Sequence, residues 1–253
     1  MKVEELSAYL NRLLSIQDFS SSDVALNGLQ IGNKEQEVTK IAFCVDASLA
    51  TLTQAASLNA NMMIVHHGLF WGKPLSITGA HYKRVKMAID NNIALYAAHL
   101  PLDAHPLYGN NAQIASALSL KEVEPFGLYH GKKIGFKGIL PEAKPIEAIL
   151  SSLQSSKQQA LALLPFGKKE ISSVAIVSGG AANNVHDAIT EDIDCYITGE
   201  PSHTVYHDCK EANINLIALG HYHSEIFGVK ALEQHLKERF NCLTVFIDLP
   251  TQL

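Results

Sequence analysis

Cysteine is scarce, at four in 253 residues, and Cys44, Cys195, Cys209 and Cys242 lie far apart with no C-x-x-C pair. That argues against a disulfide framework and a thiolate zinc site, and it fits a reducing compartment. Long apolar runs are also missing, since no stretch approaches the roughly 18 residues that a membrane span requires. Cationic excess is absent, with Lys+Arg 20 against Asp+Glu 25 and a formal net charge of -5. A chain without a basic footprint is not expected to take duplex DNA as its main partner. Neither G-x-x-x-x-G-K-[ST] nor G-x-G-x-x-G occurs, so a P-loop or a Rossmann dinucleotide site finds no support. The N-terminal MKVEELSAYLNRLL sets Val3, Leu6, Leu10, Leu13 and Leu14 at helical spacing among charges, which reads as an amphipathic helix rather than a signal peptide. Together these features predict a soluble, cytoplasmic protein.

Histidine is what the chain has in quantity: twelve, in a composition that is 47% hydrophobic and otherwise ordinary for a globular protein. Imidazoles at that frequency direct attention to metal ligation and proton transfer.

Short apolar runs alternate with helical stretches. Ile41 to Val45 (IAFCV), Met62 to Val65 (MMIV) and Ile93 to Ala98 (IALYAA) are apolar throughout, as parallel strands covered on both faces should be. Helical segments over Leu49 to Leu58 and Tyr82 to Asp90 lie between them. Val174 to Val177, Asp194 to Thr198 and Asn215 to Leu219 repeat the plan, so the fold class is α/β: two linked βαβ-type domains of similar internal topology with three-layer character. Ile41 to Met62 and Ser173 to Asp194 both span 21 residues, whereas Met62 to Ile93 spans 31 and Asp194 to Asn215 spans 21. The extra residues of the first copy fall in HHGLFWGKPLSITG, after its second strand, where ligands bind in open α/β sheets. PFGLYHG, Pro125 to Gly131, reads as the join. KIGFKGIL then predicts a strand, PIEAILSSLQSS a helix opened by Pro145, and Lys230 to Phe240 a helix before a final strand in CLTVFIDLP. That last strand can return to the first sheet, giving a discontinuous first domain, 1–126 plus 226–253, around a second, 127–225.

Three strand ends carry clustered ligand types: His66-His67 in VHHGLFW; His99, Asp103 and His105 in HLPLDAH; and His221, His223 and Glu225 in GHYHSE. Adjacent residues of a strand face opposite ways, but at a terminus the chain turns and both imidazoles can reach one site. His221 and Glu225 are four apart and share a face if a helix starts there. Mixed nitrogen and oxygen donors suit Zn, Mn, Fe, Co or Ni, and such a set is enough for a pair of ions about 3.5–4 Å apart.

Other constellations are weaker. His203 and His207 stand at i,i+4 but lack the glutamate of H-E-x-x-H; His203 is better read as lining a pocket. Ser178-Gly179-Gly180-Ala181 can cradle a phosphate or simply form a tight strand-to-helix turn. Phe70 and Trp71 read as loop anchors before they read as a base-stacking platform.

VHHGLFW, HLPLDAH, YITGE, GHYHSEIFGVKAL and ALNGLQIG together resemble the Nif-three-like family of dinuclear-metal proteins, whose members carry the label GTP cyclohydrolase 1 type 2 homolog. The resemblance runs from about Leu26 to Pro250. It implies two linked α/β domains, a ring-shaped homohexamer (a toroid), and two divalent metal ions per chain held by His66, His67, Asp103, His221 and Glu225, with Glu225 as the bridge. Two departures stand out: His223 occupies a position where relatives commonly have a small residue, and SSDVA replaces an acidic-aromatic lead-in to the N-G-L-Q element. His223 is accordingly an extra acid/base group or a residue lining the mouth. His99 is a catalytic proton shuttle or a residue that orients Asp103.

The expected activity is metal-dependent hydrolysis of GTP or a related nucleotide, water attacking C8 of guanine. The alternatives are a non-catalytic metal-binding hexameric scaffold or regulatory adapter, and a two-metal nucleotide phosphoesterase.

Overall fold

The computed structural model describes residues 1–253. Helix α1 (Val3–Leu13) leads through strands β1 (Gly28–Ile31) and β2 (Lys40–Asp46), α2 (Leu49–Ser57), β3 (Met62–His67), α3 (Gly79–Asp90), β4 (Ala94–Ala97) and α4 (Leu100–Asp103). Next come α5 (Asn110–Ala117), β5 (Lys121–Tyr129), β6 (Lys132–Lys144), α6 (Ile146–Ser152), β7 (Ala162–Pro165), β8 (Ile171–Val177), α7 (Val185–Thr190), β9 (Cys195–Thr198), α8 (Tyr206–Glu211) and β10 (Asn215–Ala218). The chain closes with α9 (His221–Phe240) and β11 (Leu243–Phe246). No helix is long and apolar enough to cross a membrane.

Two compact units divide the chain: unit 1 is Met1–Leu102 with Val229–Leu249, and unit 2 is Asp103–Gly228 with Pro250–Leu253. The expected boundary at 126–127 falls inside β5 instead. PFGLYHG is the end of β5 and its turn, a hairpin to β6 in which Tyr129 pairs with Lys132. The two loop residues, His130 and Gly131, both take positive φ, 45° and 81°, the requirement of a two-residue hairpin turn. Turn residues there mark a hairpin and not a linker.

Unit 1 holds a five-stranded sheet in the order β1-β4-β3-β2-β11. β2, β3, β4 and β11 are parallel, and β1 runs antiparallel along the β4 edge. The βαβαβ core is buried on both faces. Ala42, Cys44, Met63, Val65, Leu95 and Ala97 pack with Leu52 and Ala55 of α2 and Val85 and Ala88 of α3. On the other face Tyr96 donates its hydroxyl to Asn11 of α1, and Tyr9 of α1 packs edge-on against Phe240 of α9. Helices on both faces of a largely parallel sheet give the three layers expected.

Unit 2 holds a six-stranded sheet, β5-β6-β8-β9-β10-β7, with β8, β9 and β10 parallel and the flanking pairs antiparallel. Ile114 and Leu118 of α5 and Ile149, Leu150 and Leu153 of α6 pack against Val174, Ile176, Cys195, Ile197 and Ile217. The short edge strands β1 and β7 are not apparent in the sequence pattern.

Equivalent polar clamps fix the amino ends of both βαβαβ cores. Asn61, just before β3, accepts from the backbone of Thr39 at 3.0 Å and of Lys40 at 3.3 Å, and its side chain donates to Glu37. Asp194, just before β9, accepts from the backbone of Ser172 at 2.9 Å and Ser173 at 3.1 Å, and Lys168 reaches its other oxygen. The registers agree, Ile41 with Met62 in one unit and Val174 with Cys195 in the other.

Burial works against the Asp194 charge, but Lys168 and the two backbone donors outweigh it and hold the carboxyl below its ordinary value. Because folding lowers this pKa, the stabilisation is complete above the ordinary carboxylate value near ~3.9 and drains away as pH falls through the folded value. Replacing Asp194 with Ala is therefore expected to cost about 2 kcal/mol at pH 7, roughly 4–8 °C in melting temperature for a chain of this size. Thermal melts in progressively more acid buffer should narrow the gap between variant and wild type; a gap that stays constant contradicts the clamp.

Candidate metal centre

Each unit gathers its own set of ligand-bearing side chains at the carboxyl ends of its parallel strands. In unit 1, β3 ends on His66 and His67. Their rings stand 4.6 Å apart at 47° because the strand stops there and the chain turns at Gly68. A side chain at that turn would displace the Gln30 amide, which a Cβ on Gly68 would meet at 2.3 Å. Gln30 is bonded into the turn, accepting from Leu69 N–H at 2.7 Å. His99, two residues past β4, joins the pair, and ligand nitrogens of His66, His67 and His99 all lie within 4.8 Å of one another. Trp71 packs edge-on against His99, centroids 4.8 Å apart, and ties its own indole N–H to Gly68 O.

All three rings are oriented through Nδ1. His66 Nδ1 lies 2.9 Å from Ala98 O, His67 Nδ1 2.8 Å from Asp46 Oδ1, and His99 Nδ1 2.9 Å from Asp23 Oδ1. A carbonyl or carboxylate oxygen can only accept, so Nδ1 carries the proton in each and Nε2 is the nitrogen able to donate a lone pair. Asp23 is itself firmly held. Its side chain is 1% exposed and also accepts from Ala25 N, Asn27 Nδ2 and Leu100 N. Burial opposes its charge, yet the His99 ring and these donors hold the carboxyl below its ordinary value.

In unit 2, α9 begins at His221, three residues past β10, so His221 and Glu225 share a face as the i,i+4 spacing predicts. His221 Nε2 is 3.1 Å from Glu225 Oε1, and its Nδ1 is 2.6 Å from Glu200 Oε1. Asp103 lies near Glu225, their ligand oxygens within 4.8 Å. Its Oδ1 accepts from Asn110 Nδ2 at 2.9 Å and Ser178 Oγ at 2.8 Å. Gly179 leaves the space: at φ 68° and with a Cβ that would sit 2.6 Å from Glu225 Oε1, it admits no side chain without strain.

The donor chemistry of both sets fits divalent ions. Asp103 and Glu225 are 5% and 2% exposed, and two buried carboxylates this close both stay ionised only with positive charge between or beside them. Burial alone would lower the His221 pKa, but Glu225 and then Glu200 outweigh it and hold it up to about 9. A proton on that ring and a divalent cation are alternative sources of the positive charge. The cysteines stay out of this chemistry: burial pushes the Cys44 thiol up to about 12 and Cys209 up to about 11, far from thiolate character.

Several expected residues lie elsewhere. His223 does not point with His221, because two residues along a helix rotate the side chain by about 200°; its Nε2 donates to Leu153 O at 3.0 Å. His105 Nδ1 accepts from the backbone N–H of Leu107 and Tyr108 and builds a turn. His203 and His207 are both exposed, on a short 3-10 turn and on α8. Asp46 and Glu200 were identifiable on the same strand-end argument that selected the histidines, standing at the ends of FCVD and ITGE. Asp23, Asn27, Gln30 and Asn110 had no such signal.

A model of the Duf34/NIF3 (NGG1p interacting factor 3) family matches residues 1–252. The chain belongs to that family. It is 42% identical over 250 residues to the GTP cyclohydrolase 1 type 2 homolog of Deinococcus radiodurans, covering 99% of this chain and 94% of the relative. The homolog of the same name from Pyrococcus abyssi is 42% identical over 254 residues, with 100% of both chains covered. Among solved structures, TTHA1606 from Thermus thermophilus superposes with a TM-score of 0.89 at 38% identity over 100% of both chains. The ALNGLQIG segment behind the family resemblance has a physical role here: Asn27 holds Asp23 and the backbone of His99, and Gln30 locks the turn after His67.

Gly179→Ala should place a methyl group against Glu225 and disfavour the left-handed backbone, at a cost of about 1–3 kcal/mol. A lowered melting temperature together with weakened divalent-ion binding by calorimetry is the expected result; unchanged ion affinity would contradict the packing of Gly179 against the ligands.

Proposed function

We propose that this Duf34/NIF3 protein is a metal-dependent hydrolase that holds two divalent ions through His66, His67, Asp103, His221 and Glu225, with Glu225 bridging, and acts on GTP or a related nucleotide. The observation that carries the reading is the common tethering of the ring nitrogens. His66, His67 and His221 each give Nδ1 to an oxygen of their own unit, the arrangement by which metal-binding imidazoles are held with Nε2 toward the ion. The nucleotide rests on the name its relatives carry, GTP cyclohydrolase 1 type 2 homolog. A homohexameric ring and a cytoplasmic setting complete the proposal, the latter in keeping with four free cysteines.

When bound, ions of this kind acidify a coordinated water and polarise an electrophilic carbon. The chain's own groups supply the rest. Asp46, Glu200 and Ala98 O orient the three imidazoles, while Ser178 and Asn110 engage one oxygen of Asp103 so that the carboxylate cannot turn. His99 keeps Nδ1 on Asp23 and exchanges a proton at Nε2, the role of a general acid/base next to the reacting atoms. Trp71 covers the outer edge of His99 and limits solvent there.

Purified protein is expected to carry about two metal equivalents per chain, and Glu225→Ala to lose most of them by elemental analysis. A wild type that neither contains nor binds metal would sink the assignment. Incubation of metal-loaded protein with GTP should release formate and abolish the guanine absorbance. Phosphate release with the ring intact would point to a phosphoesterase, and no turnover with any of several nucleotides and metals to a metal-binding scaffold or adapter.

A further inference from the structure

We infer that unit 1 holds one divalent ion by itself, through His66, His67 and His99, independently of Asp103, His221 and Glu225. The inference rests on the metal-binding reading above but adds a ligand, His99, and a second mode of binding, in which His99 Nε2 holds the ion instead of exchanging a proton.

The three imidazoles form a compact triangle: ring centroids are 4.6 Å apart for His66 and His67, 5.2 Å for His66 and His99, and 5.7 Å for His67 and His99. Their ligand nitrogens lie within 4.8 Å of one another, within reach of a single ion. Each ring is held by an oxygen of unit 1 at Nδ1, so all three offer the same kind of nitrogen. His99 is as firmly placed as the two neighbouring residues, since its own backbone N–H donates to Asn27 and its ring to the fully bonded Asp23. Three imidazoles and an open fourth position are the donor set of one type of catalytic zinc site. Neutral nitrogens alone do not balance a 2+ ion, but Asp46 and Asp23 stand directly behind His67 and His99 and supply two negative charges. An all-imidazole set selects Zn, Co, Ni or Cu over Mg or Ca. Trp71, whose ring centroid is 5.8 Å from that of His67 and 4.8 Å from that of His99, walls the outer side.

The full-length chain carrying Asp103→Asn, His221→Ala and Glu225→Gln tests this with Co(II) as the probe, read by equilibrium dialysis and by the visible absorption of the bound ion. About one Co(II) per chain with a visible band is expected. His99→Ala in that background should remove the band and weaken binding at least tenfold, and Asp23→Asn should weaken it by roughly 10–100-fold through loss of the tether. Retention of the ion without His99, or no Co(II) on a triple variant whose circular dichroism matches the wild type, overturns the inference. A wild type that binds no Co(II) at all overturns the wider metal-binding reading as well. If the triple variant unfolds, Glu225→Gln alone replaces it, and His99→Ala must again weaken its binding of the remaining ion.

Discussion

Parallel strands lying side by side must release their chains at one edge of the sheet, and each unit gathers its candidate ligand side chains there. β3 ends on His66 and His67, β4 runs out two residues before His99, and β10 three residues before His221. The opposite edge is closed by polar clamps, Asn61 in one unit and Asp194 in the other. Register makes the likeness of the two units concrete: counting from the matched positions Met62 and Cys195 sets His66 against Gly199 and His67 against Glu200. One unit places imidazoles at these positions, and the other places a glycine and the carboxylate bonded to His221 Nδ1.

Rigid strand ends are not enough for a metal centre, because an imidazole can present either nitrogen and rotate about its bond to the backbone. Here an oxygen acceptor at each Nδ1 removes that freedom. The acceptors are costly to hold in place, since a buried carboxylate needs several donors to offset lost hydration. Asp23 has a ring donor, two backbone N–H groups and an amide, drawn from the loop between α1 and β1 and from the start of α4. Residues distant in sequence from the histidines therefore decide where the histidines point.

The parallel cores could be read from the sequence because strands covered on both faces leave continuous apolar runs such as IAFCV and MMIV, and because the two copies keep one spacing. β1 and β7 could not: they are four-residue edge strands paired antiparallel, and their glycine and proline read as loop. The Pro125 to Gly131 segment misled for the same reason, turn chemistry being common to hairpins and linkers. At the site, clustered His, Asp and Glu at strand ends marked ligand types. ALNGLQIG stood out as a motif, but the tethering roles of Asp23, Asn27 and Gln30 did not, because they act through hydrogen bonds to parts of the chain that no local spacing connects. His223 is the converse case: its proximity to His221 in sequence suggested chemistry, and helical rotation turns it to Leu153 instead.

The central claim is that ring tethering at Nδ1 dedicates Nε2 to metal ions. Anomalous-scattering crystallography of protein loaded with Zn(II) tests it most directly, since it locates each ion relative to each ring nitrogen. The account requires anomalous peaks at bonding distance from Nε2 of His66, His67 and His221, with Ala98 O, Asp46 and Glu200 still on Nδ1. Peaks bonded through Nδ1, or no peak beside these rings at saturating zinc, would contradict it.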